Sequence, residues 1–439
     1  MTKHGSRVLT TSLVIDDDLP AVVGAQGVRL RLDDGRDVID ATNSLAPLGH
    51  RHPRIVDAVV KAARATPAID EGWAWPERDK AADDLIDIAF RGEEEWVGAV
   101  RFALSGSEAN DLALSLCQAL TGRSPLVTRD RAYHGMVGLA REVTVQPQWH
   151  GGVSSVGRGV RPVPRSTEVR TLPFPRGEFG DGTELTDHEA AEWVEPAAHL
   201  LDAAAAVIID YSQGGCYPAP AYQDEVARQA RGRDTLWIAD EVVTGLGKQG
   251  RWFTFQRGSE RPDIVTLGKG LAAGMAAAGA VVLSKRVVEA LDNGSWRNYS
   301  ALRAHPVTVA AIDEVVRTID DEDLVSRVDA LHERIARDMR SLVQAHPSLE
   351  RADGRGLHWT LEFAGYDWRS WTGESTEQPL ADRVVRAALD AGVLIATSGE
   401  AGSLLMSLPL VIGDEDIDRV FSALDAGMSV ADRWIAARV

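Results

Sequence analysis

Three short segments of this chain hold residue types suited to chemistry on a small bound molecule. In Thr266-Leu267-Gly268-Lys269-Gly270-Leu271 a lysine stands between two glycines at the end of the apolar run Ile264 to Leu267. A lysine desolvated at a strand end can lose its proton and act as an amine nucleophile, and the flanking glycines leave room for a planar group. In Asp240-Glu241-Val242-Val243-Thr244-Gly245 a carboxylate follows the run Leu236-Trp237-Ile238-Ala239. The carboxyl ends of parallel strands are where open α/β sheets meet ligands. A carboxylate there needs a cationic partner or hydrogen bonds; a protonated ring nitrogen supplies both, and a plain salt bridge at a strand end would also serve. In Ser105-Gly106-Ser107-Glu108-Ala109-Asn110 the spacing of Ser105 and Glu108 is that of a capping box, and Leu112, Ala113, Leu116 and Leu120 continue a helical pattern. Free N–H groups and the positive dipole end make a helix start a seat for phosphate, although an ordinary helix start has the same sequence. Each segment follows a separate strand, and that conjunction points to one ligand site.

Bringing three strand ends together requires a sheet covered by helices. Apolar positions spaced by three and four run from Ala81 to Phe90, followed by alternation at Val100, Phe102 and Leu104. Buried-strand runs follow at 205–209, 236–239 and 264–267, so the pattern predicts an α/β fold with a mostly parallel sheet. A chain of 439 residues exceeds what one core usually serves. The expected division is an N-terminal arm over 1–60, carrying an edge hairpin around Val28 to Leu32, a large domain over 61–305, and a smaller α+β domain over 306–439. The last begins with long helices from Pro306 to Ala345, then a strand near Leu357 to Phe363, a helix from Pro379 and a closing helix from Asp414. Between Gly151 and Gly182 the Gly, Pro, Arg and Ser content predicts a long irregular excursion.

Hydrophobic residues make up 44% and charged residues 26%, as in ordinary globular proteins, and the formal net charge of -18 repels nucleic-acid backbones and anionic lipid surfaces. Neither nucleic acid nor membrane is an expected partner, no run reaches the length of a membrane span, and a cytoplasmic location is expected. Cys117 and Cys216 lack metal-ligand spacing, so no metal site is expected and both read as buried thiols.

Beside these residues, the order and spacing of LDDGRDVIDATNSLAPLGHRHPRI, SGSEAN, Tyr133-His134-Gly135, WIADEVVTGLGKQGRWF and RPDIVTLGKGLAAG run over nearly the whole chain. They resemble the class III (ornithine and omega) aminotransferases, pyridoxal 5′-phosphate enzymes of fold type I. The resemblance implies a large domain with a seven-stranded, mostly parallel sheet and a small C-terminal domain. It implies a cofactor Schiff base on Lys269, 29 positions after Asp240, whose carboxylate meets the pyridine nitrogen. The phosphate would lie on Ser105, Gly106 and Ser107; Tyr133, with His134 beside it, on one ring face; and Val242 on the other. The family also implies a homodimer with shared active sites. Its threonine reaching the neighbouring subunit's phosphate aligns with Ala301, leaving Ser300 as the adjacent hydroxyl.

Departures from the family bear on substrate. The arginine that grips the carboxylate of glutamate aligns with Leu405, and the glutamate that pairs with that arginine aligns with Gly215. Their joint loss predicts an amine or amino-acid donor other than glutamate, in specialised biosynthesis. Position 243 is Val where many relatives carry glutamine near the cofactor's phenolic oxygen. S-adenosylmethionine is a candidate donor, and the alternative is γ-elimination or replacement on that substrate, C–C bond formation, isomerisation or decarboxylation with the same cofactor. Trp73, Trp75, Trp368 and Trp371 read as core, interface or pocket lining, and Arg158, Arg161 and Arg165 as a solvated loop. Glu241 is expected to make a structural ion pair and His305 to be structural.

Overall fold

The computed structural model describes residues 20–65, 69–146, 149, 153–155, 159–161, 163–174, 185–211, 219–291, 295–366, 379–397 and 400–437; 153–155 and 159–161 are described as backbone only. The arm holds β1 (Val22–Gln26), β2 (Arg29–Leu32) and β3 (Asp37–Asp40). Then come α1 (Pro53–Ala65) and α2 (Pro76–Asp84), each opened by proline, whose missing N–H costs nothing at a helix start. The expected helix through Phe90 is α2 running into one π-turn, Leu85–Ala89.

The central part alternates as predicted: β4 (Val97–Ala103), α3 (Gly106–Thr121), β5 (Leu126–Arg129), α4 (Gly138–Glu142), β6 (Val153–Ser155), β7 (Gly159–Arg161), β8 (Val169–Leu172) and α5 (Asp187–Val194). It continues with β9 (Ala206–Asp210), α6 (Pro220–Arg231), β10 (Leu236–Asp240), β11 (Ile264–Leu267), β12 (Gly279–Ser284) and α7 (Lys285–Glu289). Seven of these strands form one sheet in the order β4-β12-β11-β10-β9-β5-β8. Strands β9, β10 and β11 are buried at every residue and run parallel, as continuous apolar strands between two helical layers do. Strand β12 runs antiparallel to both its neighbours.

The stretch from Gly151 to Gly182 is not irregular throughout, which corrects the expectation. Val169–Leu172 adds β8 to the edge of the sheet beside β5, and β6 pairs with β7 as a small hairpin. A four-residue edge strand needs only its neighbour's backbone, so the Gly and Pro around it dominate the local composition.

The C-terminal part holds α8 (Pro306–Asp321), α9 (Leu324–Ala345), β13 (Leu349–Arg355), β14 (His358–Phe363), α10 (Leu380–Asp390), β15 (Val393–Leu394), β16 (Ala396–Thr397), β17 (Ser403–Ser407) and α11 (Asp414–Ala436). Strands β13, β14, β17 and β16 form a second sheet. The third sheet, β1-β2-β3-β15, joins the arm to the C-terminal part through parallel pairing of β3 with β15. Among the described residues no helix is long and apolar enough to cross a membrane.

Candidate active site

The carboxyl ends of β4, β5, β10 and β11 and the segments that follow them bring the sequence-predicted residues to one cavity of about 430 Å³. Ser105, Gly106, Ser107, Tyr133, His134, Asp240, Val242 and Lys269 all line it. Ser300 does not. It lies beside exposed Tyr299, and its backbone N–H donates to Glu71.

Lys269 follows β11 at the start of a single 3₁₀ turn and holds φ at +40°. A lysine in the left-handed region carries strain of order 1–3 kcal/mol, a cost tolerated where a side chain must be aimed. Burial pushes its ammonium below the ordinary lysine range, against the opposing pull of Asp240 and Asp210. The neutral amine is thereby more accessible than on a surface lysine.

Asp240 is held from three directions. Its Oδ1 accepts from the Val242 N–H at 3.0 Å, while Oδ2 accepts from Asn110 Nδ2 at 2.7 Å and lies 2.7 Å from His134 Nδ1. Asn110 is itself fixed, since Thr266 Oγ1 donates to its Oδ1 at 2.5 Å. His134 Nε2 lies 3.0 Å from Thr128 Oγ1. Each carboxylate oxygen can accept two hydrogen bonds, so Oδ1 retains capacity for one further donor from the cavity. His134 is thus a support for Asp240 as well as part of the wall.

Close approach at the helix start depends on glycine. A Cβ on Gly106 would lie 2.5 Å from Val242 Cγ1, and one on Gly268 would lie 2.9 Å from the Gly106 backbone. Ser105 caps α3 by accepting from the Glu108 N–H at 3.2 Å, but the reciprocal half of the expected capping box is displaced by one residue: Glu108 accepts from Leu104 N–H at 2.5 Å and pairs with Arg303. The backbone N–H groups at the start of this 16-residue helix border the cavity at Ser105, Gly106 and Ser107.

These features fit pyridoxal 5′-phosphate. The helix start suits its phosphate, the remaining acceptor capacity of Asp240 suits a protonated ring nitrogen, and Tyr133 and Val242 border a space suited to a planar ring. Tyr133 is in edge-on contact with Trp149, with ring centroids 5.2 Å apart, and its phenol is pushed up by burial and then by Asp240.

Other expectations fall differently. Glu241 makes no ion pair among the described residues. It accepts from Thr244 Oγ1 at 2.5 Å and the Phe255 N–H at 2.8 Å, and burial pushes its carboxyl up to about 7. At this buried strand end the donors that meet the carboxylate are a hydroxyl and a backbone amide. His305 is structural, capping α8 by accepting from the Val307 N–H. Leu405 is half-buried in β17, opposite Thr360 and Ala396, and does not line the cavity, whereas Val243 does. Trp73 is 69% exposed, Trp75 packs against the core, and Arg165 donates to the Thr144 carbonyl. Cys117 is buried. Gly215, Cys216, Arg158, Trp368 and Trp371 lie outside the described residues, and Arg161 is described as backbone only.

Asp210 lines the cavity too, yet the sequence reading did not place it in the site. The available signal was its position at the end of an apolar run, the same signal that singled out Asp240.

A family model described as aminotransferase class-III matches residues 16–427. The chain is 30% identical to an acetylornithine aminotransferase of Streptomyces coelicolor, covering 92% of this chain and 90% of that protein. It is 28% identical to a diaminobutyrate–2-oxoglutarate aminotransferase of Rhizobium meliloti, covering 95% and 89%. A solved structure of an S-selective transaminase from Arthrobacter sp. with alanine bound superposes with a TM-score of 0.88 at 27% identity, over 98% of this chain and 97% of that one. With the strand-end cavity and its fit to the cofactor, these similarities establish that the chain belongs to the class III aminotransferases, pyridoxal phosphate-dependent transferases of fold type I.

Proposed function

We propose that this chain transfers an amino group from a small amine or amino acid other than glutamate, with Lys269 as its Schiff-base residue. The observation that carries the reading is the presence of Lys269, Asp240 and the start of α3 around one cavity. Pyridoxal phosphate, when bound, supplies an electrophilic carbon for the incoming amine and a ring that takes up the electron pair released at the donor carbon. Asp240, kept in place by Val242, Asn110 and His134, holds a proton on the ring nitrogen. Ser105, Gly106 and Ser107 bind the phosphate, and Tyr133 and Val242 restrict the ring to one plane. Lys269 Nζ removes the proton from the donor carbon as general base and would deliver it, as general acid, to the cofactor's own electrophilic carbon.

The donor assignment is supported by the cavity lining, which includes no arginine among the described residues, and by Leu405 lying away from it. Alanine bound in the Arthrobacter transaminase gives the same direction. Purified enzyme titrated with alanine, glutamate or S-adenosylmethionine should lose its visible cofactor band with alanine. Conversion by glutamate alone would refute the donor assignment, and thioether release from S-adenosylmethionine would replace transamination with γ-replacement.

The active chain is a homodimer in this reading, with Ser300 of each copy turned toward the other's phosphate. Leu45, which also borders the cavity, is 53% exposed, and Trp73, Tyr299 and Leu302 are exposed at 69%, 64% and 59%. These exposed large side chains support the reading that a second copy covers this face. Light scattering on the eluted protein should give twice the 47.4 kDa chain mass, and a monomer with full activity would exclude the shared site.

A further inference from the structure

Asp210 ends β9 where Asp240 ends β10, and the two residues are partners in the parallel register. Both border the cavity together with Lys269, so two carboxylates and one amine share one space. Asp240 already has its hydrogen bonds and its place beneath the ring. Asp210 has no part in that arrangement, yet it is only 5% exposed and is held with equal care.

Arg129, fully buried at the end of β5, donates Nη2 to Asp210 Oδ2 at 2.8 Å and Nε to the Asp210 backbone carbonyl at 3.1 Å. Its guanidinium also lies 4.8 Å from the centre of the Phe174 ring. An arginine fixed through two nitrogens and a ring face fixes the carboxylate it grips. Oδ1 of the same carboxylate is 4.0 Å from His134 Nε2. Burying an ion pair is costly and seldom stabilises a fold relative to apolar residues of the same size, so its position at the wall of a reaction cavity calls for another explanation.

We propose that Asp210, held by Arg129, is a positioning residue of the active site whose negative charge keeps a proton available at the Lys269 nitrogen. The proposal rests on the assignment of Lys269 given above. The nitrogen must take a proton from the donor carbon and later give it up. Burial alone would favour the empty amine, and Asp210 offsets that bias without touching the substrate. Among the described residues, the charged and titratable groups facing Lys269 are Asp240 from β10, Asp210 from β9 and His358 from β14, with Tyr133 and His134 from the segment after β5 on the same cavity wall. Burial, followed by Lys248 and Lys269 itself, pushes His358 down to about 3, so it is neutral and exerts no competing charge at working pH. Among the described residues, the groups facing Asp210 include Arg129 from β5, His134 from the segment after it, and Lys269.

The test is a pH titration of the visible cofactor band in four holoenzymes: wild type, Asp210→Asn, Asp210→Glu and the double variant Arg129→Met/Asp210→Asn. Removing an anion near a cation disfavours the protonated form, so the band's apparent pKa should fall by about one unit in Asp210→Asn. It should stay close to wild type in Asp210→Glu, which keeps the charge. The double variant leaves no guanidinium unpaired, which protects the fold, and its pKa should fall by less than in Asp210→Asn, because a cation is removed together with the anion. In cofactor-free protein, the pH dependence of Lys269 acetylation, read by mass spectrometry, should move to lower pH in the same variants. Unchanged titrations in both Asp210→Asn and the double variant, or an equal fall in Asp210→Glu, would overturn the proposal. A wild-type protein that shows no band after reconstitution would instead refute the assignment of Lys269.

Discussion

The Lys269→Ala protein is expected to transaminate about 10⁴-fold more slowly than wild type, near the upper end of what a single acid–base group contributes, because it loses the attachment point as well. Lysine is the only side chain type that provides both, and Lys269 is the sole lysine among the described residues lining the cavity. The nearest substitute fails on geometry: Lys248 is buried, and its Nζ donates to the Leu408 carbonyl at 2.7 Å. Cofactor should still enter the variant, because the phosphate seat at the start of α3 and the Asp240 carboxylate are intact. The check is borohydride reduction followed by peptide mapping. Wild type should carry the reduced cofactor on the peptide containing Lys269, and the variant should carry none while still retaining cofactor on gel filtration. A reduced adduct at another lysine, or activity within tenfold of wild type, would remove Lys269 from its role.

Lys269, Asp240 and the α3 start were legible in the sequence because each sits at the junction of an apolar run and a polar or glycine-rich turn. That junction is a local signal, and the sheet then carries all three to the same edge, β10 parallel to β11 and β4 aligned with them through the antiparallel β12. What escaped sequence reading depends on partners far away along the chain. Asp210 differs from Asp240 in its support, and that support is Arg129, 81 positions earlier. Glu241 reads as one half of an ion pair, yet it faces Thr244 and the Phe255 amide, a choice decided by which side of the strand end turns inward. Strands β5 and β8 are four residues each, too short for a periodicity to declare itself, and they exist because β9 offers β5 a backbone to extend and β5 offers one to β8. Ser300 was chosen for its proximity to an aligned position; a site shared between two copies need not appear in the geometry of one.

The second large effect is expected on stability. Replacing Arg131 with methionine should lower the free energy of unfolding by about 3–5 kcal/mol, the cost of breaking a buried ion pair and leaving its partner charged. Arg131 is 2% exposed and stands two residues before Tyr133, with φ at +62°. Its guanidinium grips Glu400, with Nε 2.9 Å from Oε1 and Nη2 on Oε2, while Nη1 reaches Glu362. Gln146 and Ser403 also donate to Glu400, and Arg351 donates to Glu362 at 2.5 Å. The cluster therefore ties the segment that carries Tyr133 to β14 and to the turn before β17, across 269 positions of sequence. Arg131→Met would leave the fully buried Glu400 carboxylate with only neutral donors among the contacts described here. The double variant Arg131→Met/Glu400→Gln removes both charges, and it should recover a large part of the loss, since a neutral amide can accept from Gln146 through its oxygen and donate through its nitrogen to the rotatable Ser403 hydroxyl. Urea unfolding of wild type, Arg131→Met, Glu400→Gln and the double variant measures both quantities. Equal stability of wild type and Arg131→Met would show that the cluster contributes nothing to the fold. Additive losses in the double variant would show that Arg131 and Glu400 act independently, despite their bidentate geometry.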